Sequence, residues 1–265
     1  MLEINNIWKT FNVGTINQKT ALENVSLKLE EGDFVTVIGG NGAGKSTLLN
    51  AIAGTWFVDQ GSITIDGTDV TRMPEHKRAK FLGRVFQDPR MGTAVSMGID
   101  ENLALAARRG KTRGLGSGIT AKEREEYREL LKTLDLGLED RITSKVGLLS
   151  GGQRQAVTLL MATLKKPRIL LLDEHTAALD PKTAAKVLAT TDEIISRDNL
   201  TSIMITHNMR DAISHGNRLI MMDGGHIILD IKGEEKKKLT VDDLLQKFAI
   251  ASGGELDNDR MMLTK

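Results

Sequence analysis

Lys45, Ser46 and Thr47 close the stretch Gly39-Gly40-Asn41-Gly42-Ala43-Gly44-Lys45-Ser46-Thr47, in which glycines, a cation and two hydroxyls have the spacing of a phosphate-binding loop. Glycines admit positive φ and let the backbone come close to a ligand. Successive N–H groups then converge on one anion, and a helix opening there adds partial positive charge. In that setting Lys45 reaches the β- and γ-phosphates of a nucleotide, the Ser46 hydroxyl ligates Mg2+, and Thr47 reaches the α-phosphate. The flanks agree. Phe34-Val35-Thr36-Val37-Ile38 reads as a buried strand, and Leu48–Ala53, closed by Gly54, reads as a helix. An ordinary glycine-rich turn requires neither the Lys-Ser-Thr ending nor these flanks.

Three further polar signals stand where apolar strands end: Gln87 after Phe86, Asp173-Glu174 after Leu172, and His207 after Thr206. Ligands of an open parallel sheet bind beyond the carboxyl ends of its strands, so four such signals point to one site. A carboxylate following four aliphatic residues is badly desolvated without a cation, and Mg2+ on the phosphates would supply one to Asp173. Glu174 can polarise a water for attack on the γ-phosphate. Gln87 can bond both metal and water, and His207 can donate to a γ-phosphate oxygen. Taken singly, an Asp after a strand is often a helix cap, a Gln there is often surface, and a His is often structural. His76, His175, His215 and His226 are read as structural.

Leu149-Ser150-Gly151-Gly152-Gln153 has the pattern of a capping box, Ser150 with Gln153, on a helix over 153–166 that Pro167 stops. Two glycines in a first turn cost about 1 kcal/mol each against alanine. They make sense if a phosphate approaches that N-terminus. This would be a second anion site, which two chains packed head to tail can bring to the first.

The elements that must position these groups show in the hydrophobic periodicity. Residues 1–33 read as short strands and turns, with Leu2-Glu3-Ile4 and Val25–Leu29 alternating apolar and polar; Ser62–Ile65 does the same. These suggest an antiparallel layer beside a buried, mainly parallel sheet built on Phe34–Ile38, Arg168–Asp173 and Thr201–Thr206. Residues 97–166 carry helix signals and no clear strand, including a helix from Thr120 with Glu123 in its capping box. This marks an inserted α-helical subdomain, about 90–166, in an α/β core. Leu219–Met222 and His226–Leu229 form a hairpin. Gly233–Lys238 reads as a solvated charge run, and Thr240–Asp243 caps a last helix ending near Gly253, with a loose tail to Lys265. The expected division is an ATPase domain over 1–239 and a C-terminal helix and tail over 240–265. The basic, glycine-rich stretch 108–118 reads as a solvated loop, because it lacks interleaved aromatics.

With 36 Lys+Arg against 35 Asp+Glu, the net charge of +1 offers no electrostatic ground for nucleic-acid binding. The absence of cysteine removes disulfides, thiolate chemistry and zinc–thiolate sites. Met1–Asn6 is not a signal peptide, and no run approaches the ~18 apolar residues of a spanning helix. A soluble chain is expected, with any membrane role coming through a partner.

In this order the motifs resemble the ATP-binding-cassette (ABC) ATPases over nearly the whole chain. Gly39–Thr47 matches Walker A, Gln87 the Q-loop and Leu149–Gln153 the LSGGQ signature. Ile169–Asp173 with Glu174 matches Walker B, Ala178-Leu179-Asp180 the D-loop and His207 the switch histidine. The resemblance implies a P-loop NTPase (RecA-like) core and an ATP sandwich dimer. Each ATP would lie between one chain's Gly39, Asn41, Gly42, Ala43, Gly44, Lys45, Ser46 and Thr47 and the other's Ser150, Gly151, Gly152 and Gln153, with Asp180 nearby. Ser46, Gln87 and Asp173 would attend Mg2+, and Glu174, His207, Gln87 and Lys45 the chemistry. Phe11 falls where the family stacks an aromatic on adenine, with Trp8 as the nearby rival. His175 departs from the family's usual Pro, and Ala177 from its frequent Ser.

The run 173–180 and residues 92–103 look most like ATPase subunits of bacterial uptake systems for aromatic amino acids of the tryptophan type. That implies a transmembrane permease, an extracytoplasmic solute-binding protein, no nucleic acid, and a cytoplasmic, peripheral place on the inner face of the membrane. The alternative is a soluble ABC ATPase acting on a nucleic-acid or protein assembly. Its translation-factor forms carry two cassettes and its chromosome forms long coiled coils, and neither is present. A P-loop kinase or GTPase would leave the signature unexplained.

Overall fold

All six residues of the strand Phe34–Gly39 are buried, as a strand covered on both faces requires. The computed structural model describes residues 1–111 and 118–251. The middle of the basic stretch 108–118 and the tail beyond Ala251 therefore lie outside the described residues. The strands are β1 (Leu2–Phe11), β2 (Lys19–Leu29), β3 (Phe34–Gly39), β4 (Gln60–Ile65), β5 (Thr68–Asp69), β6 (Leu82–Val85), β7 (Ile169–Asp173), β8 (Ser202–Ile205), β9 (Arg218–Asp223) and β10 (His226–Lys232). The helices are α1 (Lys45–Ala53), α2 (Glu75–Arg78), α3 (Ile99–Ala107), α4 (Ala121–Lys132), α5 (Gly151–Thr163), α6 (Pro181–Asp198), α7 (Met209–Ser214), α8 (Glu234–Lys237) and α9 (Val241–Ala251).

The main sheet runs β10-β9-β3-β8-β7-β6, parallel except for the antiparallel pair β9–β10. A second, antiparallel sheet runs β2-β1-β4-β5. The fold is thus α/β with a parallel core sheet, an antiparallel layer and a helical region. β1 and β2 are longer than the alternation suggests, at ten and eleven residues. Register shifts along β1 move apolar residues out of step and mask the continuous strand.

Alternate faces of the main sheet meet different helices. Val35, Val37, Leu171, Ile203 and Ile205 share a core with Leu48, Leu49 and Ile52 of α1 and with β1, β2 and β4, so α1 lies between the two sheets. Leu170, Leu172 and Met204 face Leu159 and Ala162 of α5 and Leu188, Ile194 and Ile195 of α6. On its other side α5 places Ala156, Val157 and Leu160 in the helical cluster with Leu103, Tyr127 and Leu131. One helix therefore carries the glycine-rich signature and bridges both cores. It begins at Gly151 and ends at Thr163, so the two glycines are its first turn.

Arg78 is fully buried. Its guanidinium donates to Ala51 O at 2.6 Å and Ile52 O at 2.9 Å, satisfying carbonyls at the end of α1, and to Met73 O and Thr71 O.

The run Gly233–Lys238 departs from its reading as solvated charge. It forms α8, and Lys236 is only 2% exposed. Its Nζ donates to His215 O and, at 3.0 Å, to Gly216 O, which lie beyond the carboxyl end of α7 where positive charge is favoured. Burial lowers the Lys236 ammonium from 10.5 to about 8. Between these values the unfolded chain holds the proton and the folded chain releases it, so this contribution to stability rises with pH and is lost as pH falls through about 8. Chemical denaturation of Lys236→Met against the parent should show their stability difference changing by about 3 kcal/mol across that window; a constant difference would contradict the burial of this charge.

Candidate nucleotide site

Strand register brings the candidate groups to one edge. Val37 of β3 pairs with Ile205 of β8, and Ile205 pairs with Asp173 of β7. The loop after β3, Thr206-His207 after β8 and Asp173-Glu174 after β7 therefore leave the sheet side by side. A cavity of about 280 Å³ forms there, lined by Phe11, Lys19, Ala21, Asn41–Thr47, Glu174 and His207.

The floor of this cavity is the start of α1. Its N-cap is Gly44 at φ 103°, and no side chain caps the helix. A Cβ at Gly44 would lie 2.5 Å from Ala21 O, so both conformation and space demand glycine. By contrast Thr120 caps α4, Ser150 α5, Asp180 α6 and Asn208 α7. The first N–H groups of α1 are left for an anion. Lys45 Nζ rests on Gly39 O at 2.8 Å and Gly40 O at 3.0 Å. Desolvation pulls its ammonium down, while Glu174 and Asp173 oppose that.

Glu174 forms part of the wall, and Asp173 precedes it at the end of β7. Burial pushes Asp173 above the usual carboxylate range, against the pull of Arg84, whose Nη2 is 3.7 Å away and also donates to Asn50 Oδ1 at 2.7 Å. Sequence reading missed Arg84, because only the pairing of β6 with β7 brings it to Asp173. It missed Lys19 too, whose Nζ would lie 2.9 Å from a Cβ on Gly42; no spacing rule marks that residue. Glu174 has a left-handed backbone, φ 46°, with its N–H on Ile205 O at 3.1 Å. Its Oε1 lies 2.6 Å from His207 Nε2, and the two side chains are 11% and 39% exposed.

Phe11 is on the cavity wall and Trp8 is not. The Phe11 ring packs edge-to-face with Trp56, centroids 5.4 Å apart. Gln87 is exposed just beyond β6 and outside the cavity lining; Gln155 of α5 holds the preceding carbonyl, Phe86 O, at 3.3 Å. Ser150, Gly151, Gly152, Gln153 and Asp180 do not line the cavity either. Ser150 and Gln153 form the expected capping box, and Asp180 accepts from Thr183 N at 3.0 Å. His175 and His215 are structural in their contacts: buried His175 meets Thr191, and His215 meets Asp192. Burial and nearby His215 hold His175 down to about 4.

Among the described residues no cluster of three or more His, Cys, Asp or Glu side chains could hold a metal alone. Ser46, Asp173 and Gln87 offer oxygen donors, and the desolvated Asp173 carboxyl would be relieved by a cation. This suits Mg2+ bound jointly with phosphates better than a cage made of protein.

A bare-ended helix behind a glycine loop, facing half-buried acids and a half-exposed histidine, defines a P-loop nucleoside triphosphatase. The chain belongs to the ABC transporter family, whose model matches residues 22–177. It is 46% identical over 251 residues to the tyrosine transport ATP-binding protein of Clostridioides difficile, covering 95% of this chain and 100% of that one. It is 35% identical over 245 residues to the methionine import ATP-binding protein MetN of Streptococcus pneumoniae, covering 86% of this chain and 66% of the relative. Its fold matches the dimeric ATP-binding cassette MJ0796 bound to ADP and Pi with a TM-score of 0.74 at 32% identity, over 88% of this chain and 98% of that one. It is thus an ABC ATPase.

The signature glycines have a reason within the chain that the sequence did not reveal. A Cβ on Gly152 would lie 2.0 Å from Thr183 Cγ2 in the first turn of α6. Gly152→Ala should therefore cost about 1–3 kcal/mol through overpacking. Adding Thr183→Ser, which removes the methyl, should recover most of that in thermal melts.

Proposed function

We propose that this chain is the ATP-hydrolysing subunit of a bacterial uptake transporter, acting as a head-to-tail dimer with a second copy beneath a separate membrane permease. The observation that carries this reading is the Glu174–His207 pair, 2.6 Å apart at the mouth of the phosphate-loop cavity. ATP would set its phosphates on the open N–H groups of α1 and draw Lys45 from the Gly39 and Gly40 carbonyls. Ser46, Asp173 and Gln87 would hold Mg2+, which would neutralise charge on the β- and γ-phosphates. His207 exchanges Glu174 for a γ-phosphate oxygen. The freed carboxylate then accepts a hydrogen bond from the attacking water and orients it. Phe11 stacks on the adenine. Ser150, Gly151, Gly152, Gln153 and Asp180 serve the nucleotide of the partner copy.

Among the described residues no helix is long and apolar enough to cross a membrane. Coupling to transport then needs a docking surface. A groove of about 390 Å³ between the core sheet and the helical region is lined by Phe86, Met91, Leu105 and Met161, with Met91 71% exposed. It adjoins Gln87 through Phe86, and Arg84 reaches from its wall to Asp173. Its occupant is a short cytoplasmic helix of the permease, placing this subunit on the inner face of the cell membrane. Similarity along the full length of a tyrosine transport relative supports an aromatic amino acid as cargo, delivered by an extracytoplasmic solute-binding protein.

Glu174→Gln should abolish turnover and trap an ATP-bound dimer, measured by size exclusion with light scattering. A variant that stays monomeric with ATP would sink the sandwich. Met91→Asp should leave ATPase activity of the isolated subunit unchanged and abolish its co-purification with a polytopic partner from membranes. Undiminished recovery of that partner would reject the groove.

A further inference from the structure

Two consecutive residues of α6 each hold a histidine, and each histidine belongs to a different arm of the site. Thr191 Oγ1 lies 3.2 Å from His175 Nε2, and Asp192 Oδ2 lies 2.6 Å from His215 Nδ1. His175 directly follows Glu174. His215 ends α7, the helix that begins immediately after His207-Asn208. Thr191 Oγ1 also donates its one proton to Val187 O at 2.8 Å, so it accepts from the ring, and His175 carries its proton on Nε2. From the far side Lys236 Nζ grips the His215 and Gly216 carbonyls.

The other end of α6 is engaged as well. Asp180 caps it, and Thr183 in its first turn lies against Gly152 of the signature helix. From Thr183 to Thr191 the helix rises about 12 Å. One rigid element thus touches the signature at one end and both arms of the Glu174–His207 pair further along.

We infer that α6 sets the separation of Glu174 and His207, and that His175 is the positioning residue through which it acts on Glu174. Glu174 needs such a hold. Its left-handed backbone is strained for a non-glycine residue and persists only where the surroundings over-determine it. The Ile205 carbonyl fixes its N–H side. The buried His175 ring, tied to Thr191, fixes the side that follows. Proline, usual after this glutamate in the family, would restrain the chain covalently at the same place. Histidine does so through a bond to α6, which makes the restraint depend on where α6 lies.

This rests on the proposed role of Glu174, and its test separates the two. Steady-state ATPase kinetics and thermal melts would be measured on the full chain carrying His175→Ala, His175→Gln, Thr191→Val or the pair His175→Ala/Thr191→Val. Loss of the anchor should lower kcat at least about tenfold in His175→Ala and Thr191→Val, with KM for ATP within about twofold of the parent. His175→Gln keeps a donor near the Nε2 position and should retain most of kcat. The double variant should be no worse than the poorer single one, since both break the same bond. Unchanged kcat in folded Thr191→Val, a rise in KM matching the fall in kcat, or His175→Gln as impaired as His175→Ala would overturn the inference. Should His175→Ala fail to fold, the near-isosteric Thr191→Val and the His175→Gln rescue decide it. Residual turnover in Glu174→Gln would instead reject the role of Glu174 itself, whatever the His175 variants do.

Discussion

The structure depends on balancing charge where three parallel strands end. Lys45, Asp173 and Glu174 share a poorly hydrated edge that none of them could occupy alone. Carbonyls of the loop hold the lysine, Arg84 faces Asp173, and His207 covers Glu174. Each of these contacts can be exchanged for a phosphate oxygen, a metal or a water. Breaking up a desolvated charge pair without a replacement is costly, so ligand binding must substitute for every partner it removes.

The helices around that edge divide according to how they begin. Side chains satisfy the N-termini of α4, α5, α6 and α7, whereas α1 begins at a glycine with none. Capped starts fix the signature and the D-loop as firm surfaces, and the uncapped start offers its N–H groups to an anion. Placement of α1 between two sheets, with Arg78 on its last carbonyls, keeps that open end in place.

Much of this was legible in the residues because its causes are local. The strand Phe34–Ile38, the glycine loop and the capping boxes Thr120–Glu123, Ser150–Gln153 and Thr240–Asp243 all depend on neighbours within a few positions. Less legible were features made by distant partners. The bulged register of β1 concealed its length, and Lys236 looked solvated until the turn after α7 supplied carbonyls for it. Gly152 suggested a phosphate by sequence, and packing adds Thr183 as a second reason for a glycine there. Phe11, read from the resemblance as the adenine aromatic, lines the cavity, and its rival Trp8 on the same strand does not, a difference the sequence could not show.

By itself the sequence determined the kind of chemistry. A phosphate loop, an acid pair after an aliphatic strand and a glycine-rich capped helix are short-range patterns whose residue types dictate what they can bind. Tertiary structure decided which groups face one another. Strand order placed Asp173, Glu174 and His207 beside the loop and brought Arg84 to Asp173, and helix packing set His175 and His215 against Thr191 and Asp192 of α6. Those juxtapositions join residues dozens of positions apart through sheet register and helix packing, and local sequence carries no record of either.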